Sequence, residues 1–189
     1  MPSPLDPFLP EPDVRERFHT TVRAPAALTM EVARGFDMRS PLAIRALFRL
    51  REIVMRAPRE VRRNPRGLLE ETTALGWGIL VERPDLVVCG AQCRPWEAEV
   101  RFRAIPAEEF ATWAEPGRVK IAWTLEAEAL GPATTRFTHE TRAVATDEEA
   151  RVEFHRYWRW ARFGIVAIRL LWLPAIRRAA ERRRAAERP

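Results

Sequence analysis

An α+β fold, in which a curved antiparallel sheet surrounds one long C-terminal helix, is predicted by three features of the sequence. Residues 119–130 and 134–144 alternate between apolar and polar side chains, which is the pattern of strands with one buried face. Gly131-Pro132 between them predicts a turn. From about residue 147 to beyond residue 172, apolar side chains recur at helical spacing. Paired strands that lead directly into such a helix predict a hydrophobic cavity between sheet and helix.

A single folded domain is expected over residues 15–180, because 189 residues can bury a core without disulfides or metal. The proline-rich residues 1–14 predict a flexible N-terminal arm, and residues 181–189 an Arg-rich tail. Seven Trp and nine Phe against one Tyr suit a dry interior or an apolar pocket.

The positive charge is concentrated at one end of the chain. The net charge is +6, and residues 177–189 carry six Arg and two Glu, which accounts for +4 of it. Such a distribution is typical of a solvated helix end, and no motif of a DNA- or RNA-reading module is present. No nucleic-acid partner is therefore predicted.

The two cysteines are predicted to be free thiols. On one strand, Cys89 and Cys93 would lie about 13 Å apart, whereas a disulfide needs Cα atoms within roughly 7 Å. Neither a metal-ligand set nor a signal peptide is recognisable, and no run of about 18 apolar residues suggests a membrane span. A cytoplasmic protein without metal or cofactor is expected.

The first third of the chain predicts one strand and two helices. Residues 15–23 alternate and predict a strand, and Ala24-Pro25 then leads into a short helix over 26–35. A second helix over 41–57 has an apolar stripe and a basic face. Residues 58–67 form a polar, basic connector.

The middle of the chain predicts further antiparallel strands. Residues 76–82 and 86–93 form a hairpin around a turn at 83–85, and residues 98–104 alternate again. Residues 109–114 suit either a short strand or a turn of helix.

The two long strands have one face of each kind. Odd-numbered side chains are expected to face the core, and even-numbered ones are expected to face solvent. Glu126 and Glu128 can then pair across the surface with Arg136 and Arg142. The inward side chains of the second strand are Phe137, His139, Thr141 and Ala143.

The long helix begins at Thr146-Asp147, where acidic residues fill the first turn. Gly164 and Pro174 are expected to bend or kink it. The stripe expected to face the sheet consists of Phe154, Trp158, Ala161, Ile165, Ile168 and Trp172.

The order of elements resembles the START/Bet v 1-like superfamily, also called the SRPBCC or polyketide-cyclase-like group, over roughly residues 15–180. The resemblance is carried by FHTTVRAPAALTMEVA near the N-terminus, by EPGRVKIAW, and by FTHETRAVATDEEARVEFHRYW, which is similar to a run in bacterial members. It implies a helix-grip fold. Members bind lipids, sterols, polyketides or hormones, and some are cyclases or dehydratases.

Nine inward-facing residues are predicted to line the cavity. His139 is a catalytic candidate as acid or base, and with Thr141 it could orient a polar group of a ligand. A buried histidine bonded to Thr141 or Thr135 is the structural alternative. Glu140 should point the other way, so no carboxylate completes a dyad with His139. The nine are Trp77, Cys89, Ile121, Trp123, Phe137, His139, Thr141, Phe154 and Trp158.

Three functions follow from this pattern. The first is binding of an apolar or aromatic small molecule, and the second is a polyketide cyclase or dehydratase reaction in the same cavity. The third is weak contact with a membrane surface through residues 163–189, where a short apolar run precedes clustered Arg. Without a phosphate-binding loop, nucleophile elbow or metal-ligand motif, nucleotide-binding, hydrolase and metalloenzyme classes are not predicted.

Overall fold

The computed structural model describes residues 2–37 and 67–187. In this part of the chain five strands form one antiparallel sheet, in the order β1-β5-β4-β3-β2. The predicted α+β helix-grip architecture is confirmed. The elements are β1 (Val14–Val22), α1 (Ala26–Arg34), α2 (Leu68–Ala74), β2 (Gly78–Arg83), β3 (Leu86–Cys93), α3 (Ala107–Phe110), β4 (Val119–Gly131), β5 (Thr134–Ala145) and α4 (Glu148–Ala186).

The predicted hairpins form, because each strand has a turn-forming sequence before its partner. β2 pairs with β3, and β4 pairs with β5, with Trp123 opposite Thr141 and Ile121 opposite Ala143. The helix predicted over 41–57, and all of the 58–67 connector but its last residue, lie outside the described residues.

Residues 98–104 were predicted to be a strand, and this prediction is wrong. Only Arg103 bridges to the sheet, through two backbone hydrogen bonds of 2.9 and 3.0 Å with Gln92. β2 already pairs with β3 as far as Gly90, so only the last residues of that edge remain open. Of the two alternatives for residues 109–114, the helical turn forms, shifted to α3.

The even-numbered face of the long strands is largely buried, which corrects the prediction that it faces solvent. Lys120, Thr124, Glu140 and Arg142 are each at most 7% exposed. Residues 2–13, expected to be a flexible arm, pack over this face instead, together with α3. The apolar side chains that cover the face are Leu5, Leu9, Ile105 and Phe110.

The charged groups of Lys120, Glu140 and Arg142 on the covered face are paired or hydrogen-bonded. The ammonium of Lys120 donates to the carbonyls of Phe110 and Ala111 at 3.1 and 2.9 Å. Of the predicted surface pairs, Glu128–Arg136 forms at 2.9 Å, whereas Arg142 binds other carboxylates below the N-terminal segment.

α4 is a 39-residue helix whose N-cap is Asp147, and the carboxylate of this residue accepts the Ala150 N–H at 2.7 Å. The helix continues through Pro174. Its last turns pack on α1, where Arg183 pairs with Glu31 at 2.8 Å. Within residues 2–37 and 67–187, no helix is long and apolar enough to cross a membrane.

Two stretches of α4 are anchored in the core. Near the start, Phe154 packs with Val14, Val119 and Ala143. Near the end, the main core contains Trp172, Leu173, Ile176 and Ala180. Phe154 and Trp172 are 18 residues apart, which is five turns, so both point the same way about 27 Å apart along the axis.

Candidate functional site

The sheet face that meets α4 places side chains of four strands in one row. Trp123 of β4 lies between Cys89 of β3 and Thr141 of β5, and Glu16 of β1 lies opposite Thr141. In the next row along β1, Phe18 lies opposite His139. This face is called the inner face below.

His139 interrupts the β4–β5 ladder with its own side chain. Its Nδ1 lies 2.7 Å from the carbonyl oxygen of Thr124, and the N–H of Glu140 donates to the hydroxyl of Thr124 instead of continuing the ladder. Because a carbonyl only accepts, Nδ1 carries the proton. Nε2 is then the acceptor for the Thr141 hydroxyl, 3.1 Å away.

The imidazole of His139 is neutral at physiological pH. Burial, reinforced by the positive charge of Arg169, holds its pKa well below the ordinary value for histidine. Both ring nitrogens of His139 have hydrogen-bond partners. Of this hydrogen-bonded pair, the polar atom that can face a ligand on the inner face is therefore the oxygen of Thr141. This geometry matches the structural alternative in which a buried histidine bonds to Thr141.

A chain of ring contacts crosses the inner face from β2 to α4. Trp77 lies 6.2 Å from Trp123, which lies 5.9 Å from His139, measured between ring centroids. The edge of one ring then meets the face of the other between His139 and Trp172, with centroids 4.9 Å apart. Four aromatic rings, three of them predicted site residues, therefore form one continuous wall.

The predicted site residues fall into two groups at different ends of α4. Trp77, Cys89, Trp123 and Phe137 belong to the main core with Trp172. The other three apolar candidates, Ile121, Phe154 and Trp158, belong to the cluster around the start of the helix.

Exposure separates the candidates that can touch a ligand from those that cannot. Cys89, Phe137 and Phe154 are buried completely or nearly so and act as packing residues. Burial raises the pKa of the Cys89 thiol to about 12, so it is not a nucleophile at neutral pH. The candidates with partial exposure are Trp77, Ile121, Thr141 and Trp158.

Two charged residues of the inner side were not among the predicted candidates. Glu16 is half-buried beside Thr141, and Arg169 of α4 lies over the Trp172 ring with its guanidinium carbon 5.8 Å from the centroid. Alternation in β1 places Glu16 on the same side as Phe18, which is a signal available in the sequence. Arg169 could have been singled out because it is the one charged residue within residues 163–176.

Glu16 does not make a catalytic dyad with His139. It lies one cross-strand pair away, opposite Thr141, and the ring nitrogens of His139 already have other partners. Within the part of the chain that the structure describes, no group of three His, Cys, Asp or Glu residues is arranged to hold a metal ion.

No protein-family model matches the chain, and no curated protein matches it. Among solved structures, it is similar to the Zhui aromatase/cyclase from Streptomyces sp. R1128, with 18% sequence identity. The similarity covers 90% of this chain and 94% of that chain, with a TM-score of 0.27. At this score the similarity does not bear on a shared reaction or ligand.

Proposed function

We propose that this protein binds an apolar or aromatic small molecule between the inner face of the sheet and the middle of α4. The proposal rests on a difference in side-chain burial along α4. Phe154 and Trp172 are buried, whereas the apolar residues between them on the same side are only half-buried. At 100° per residue, all of these lie within about 40° of the direction shared by Phe154 and Trp172. They are Trp158, Ala161, Ile165 and Ile168.

The facing side of the sheet shows the same partial exposure. Phe18, Ile121, Thr141 and Trp77 lie on or beside the inner face, yet each keeps part of its surface open. Apolar groups that keep part of their surface open between a sheet and a helix can be covered by a ligand. Each square ångström of apolar surface that a ligand covers contributes about 25 cal/mol.

A matched pair of variants tests this proposal, with 1-anilinonaphthalene-8-sulfonate as a fluorescent probe. Ala161→Trp fills the space on the inward side of α4, whereas Ala167→Trp adds the same ring about 140° away from that side. We expect saturable one-to-one binding by the wild type, at least tenfold weaker binding by Ala161→Trp, and no change for Ala167→Trp. Equal effects of both variants, or no saturable binding by the wild type, would contradict the proposal.

Native mass spectrometry of protein purified from its own host identifies the natural ligand. We expect a stoichiometric added mass, which denaturing extraction releases as a small apolar molecule. A mass equal to that of the bare chain would argue against a tightly held carrier ligand.

A polyketide cyclase or dehydratase reaction in the same space is the alternative, favoured by the hydrogen bond between Thr141 and His139. A neutral imidazole that accepts from a hydroxyl can take a proton relayed through that hydroxyl. We expect His139→Gln to retain probe binding but to abolish turnover of a polyketide-like substrate. Unchanged turnover would remove His139 from the reaction.

Contact with an anionic membrane surface is a second candidate, favoured by the outer side of α4. Trp160 and Phe163 are 76% and 67% exposed, Leu170 is also exposed, and Arg156 and Arg159 lie on the same side. Exposed apolar side chains among arginines are typical of helices that lie on anionic bilayers. The Arg-rich end of the predicted 163–189 segment continues the same helix.

Sedimentation with lipid vesicles tests this second candidate. We expect the wild type to bind vesicles containing phosphatidylserine and not vesicles of phosphatidylcholine alone. The double variant Trp160→Ser/Phe163→Ser should lose this binding while it keeps the probe binding described above. Vesicle binding that survives the double variant would exclude this surface.

A further inference from the structure

Arg169 is a cation on the inward side of α4 for which the described residues provide no counter-ion. It lies about 60° from the direction of Phe154 and Trp172 at 100° per residue, beside the half-buried residues of the proposed site. In the described part of the chain it has no hydrogen bond or ion pair, and its contact is with the ring of Trp172. Other arginines that reach into the fold, such as Arg142 and Arg151, each hold a carboxylate.

Trp172 adds a second donor without an acceptor. Its side chain is 1% exposed, and its indole N–H has no hydrogen-bond partner among the described residues. Buried donors in folded proteins almost always have an acceptor. Two contacting side chains at the same end of the proposed site, one charged and one neutral, therefore have no acceptor within residues 2–37 and 67–187.

The charges around this point favour one negative charge in a ligand. Arg169 remains protonated at neutral pH, because burial lowers its pKa only to about 10. His139, whose pKa is lowered, adds no positive charge. Glu16, further along the inner face, disfavours a second negative charge on the bound molecule.

We propose that Arg169 and Trp172 bind the carboxylate of an amphipathic monocarboxylic acid whose apolar body covers the half-buried residues of the inner face. This inference rests on the function proposed above and adds the chemical class of the ligand. A guanidinium presents paired N–H donors that match the two oxygens of a carboxylate, and the indole N–H supplies a further donor. The ring of Trp172 shields the pair from water, which strengthens it.

Probes that differ only in charge test the inference by calorimetric titration at pH 8. Two matched pairs are suitable, 2-naphthoate with 2-naphthamide and dodecanoate with dodecanol. We expect the wild type to bind each acid at least tenfold more tightly than its neutral partner. Arg169→Met should remove this preference, because the acid binds more weakly while the affinity for the neutral partner is unchanged. Retained binding of the neutral probe also shows that the variant is folded.

Further variants sharpen the test. Arg169→Lys should retain part of the preference, because it keeps the charge but loses the paired donors. Trp172→Phe should lower the affinity for the acid a few fold, because the indole N–H is lost. Arg83→Met, at the exposed end of β2, is the control and should change the affinity for neither probe.

The outcomes separate this inference from the proposed function. Equal affinity for acid and neutral probe in the wild type, unchanged in Arg169→Met, would overturn the carboxylate site and leave the apolar site standing. Failure of all four probes to bind the wild type would overturn both. An acid preference that survives Arg169→Met would place the cation elsewhere and overturn the role of Arg169.

Discussion

The carboxylate of Glu140 lies 2.7 Å from Nε of Arg142, and both side chains are almost fully buried on the outer side of β5. The same guanidinium donates to the carbonyl of Leu9 at 2.6 Å and to the carboxylate of Asp6 at 2.7 Å. The hydroxyl of Ser3 reaches the other oxygen of Glu140 at 3.0 Å. This ion pair therefore attaches the N-terminal segment to the sheet.

Removing one partner of this pair is expected to destabilise the protein strongly. Among the described residues, Arg142→Met leaves Glu140 as a buried charge with Arg15 and Arg17, both exposed, as its remaining ionic partners. Loss of one member of a buried pair typically costs about 3–5 kcal/mol. Urea denaturation measures this loss in the free energy of unfolding.

The exposed pair on the same strand is the control. Arg136→Met breaks the ion pair with Glu128 and should cost about 0–1 kcal/mol. Similar losses in the two arginine variants would show that the buried pair does not hold the N-terminal segment. The double variant Glu140→Leu/Arg142→Met should recover part of the stability, because neither member of the pair is left as an unpaired buried charge.

Alternation in the sequence identified the strands but not what covers their outer face. Glu140 and Arg142 have the pattern of solvent-facing residues, and nothing local distinguishes them from Arg136 on the same strand. The difference is made by Leu5 and Leu9, more than 130 residues away in the chain, which pack over one end of the sheet and leave Arg136 exposed. A pairing between such distant segments is not written in the periodicity of either one.

Two glycine-to-alanine variants should change stability in opposite directions. A Cβ at Gly90 of β3 would lie 2.5 Å from a ring carbon of Phe110 and 2.6 Å from a methyl of Leu80. We expect Gly90→Ala to cost about 1–3 kcal/mol, because overpacking shifts buried neighbours. A Cβ added at Gly164 in α4 would have no atom of the described residues within 4 Å, apart from the backbone of its own helix. Gly164→Ala should therefore stabilise the helix by about 0.5–1 kcal/mol. Thermal unfolding of both variants reports the sign of each change.

Both cysteines should resist thiol reagents in the folded protein. Burial raises the pKa of Cys89 and of Cys93 to about 12, and both side chains are at most 1% exposed. At pH 8 we expect neither thiol of the folded protein to react with dithionitrobenzoate in the time that a free small-molecule thiol needs to react completely. In urea above the unfolding transition, two thiols should react. Fast labelling of the native protein would show that β3 opens locally.

The inward position of His139 was predictable, whereas its chemical state was not. Strand alternation places it on the same side as Thr141, which is a local property. Its tautomer depends on the carbonyl of Thr124 in the neighbouring strand, and its pKa depends on Arg169 in α4. Both effects arise only when three elements pack together.

Stability should decrease with falling pH partly because His139 is buried in its neutral form. The folded-state pKa lies well below the ordinary value of 6.5, so below pH 6.5 the unfolded chain binds a proton that the folded chain does not. This destabilisation by His139 is absent above pH 6.5. It grows as the pH falls towards the folded-state pKa, by at most about 1.4 kcal/mol per pH unit.

His139→Gln should reduce this acid sensitivity. Glutamine can donate to Thr124 and accept from Thr141 without titrating. We expect the free energy of unfolding of the variant to fall less steeply between pH 6.5 and 5 than that of the wild type. If urea denaturation across this range gives equal slopes for wild type and His139→Gln, His139 takes up a proton in the folded protein and is not held neutral by burial.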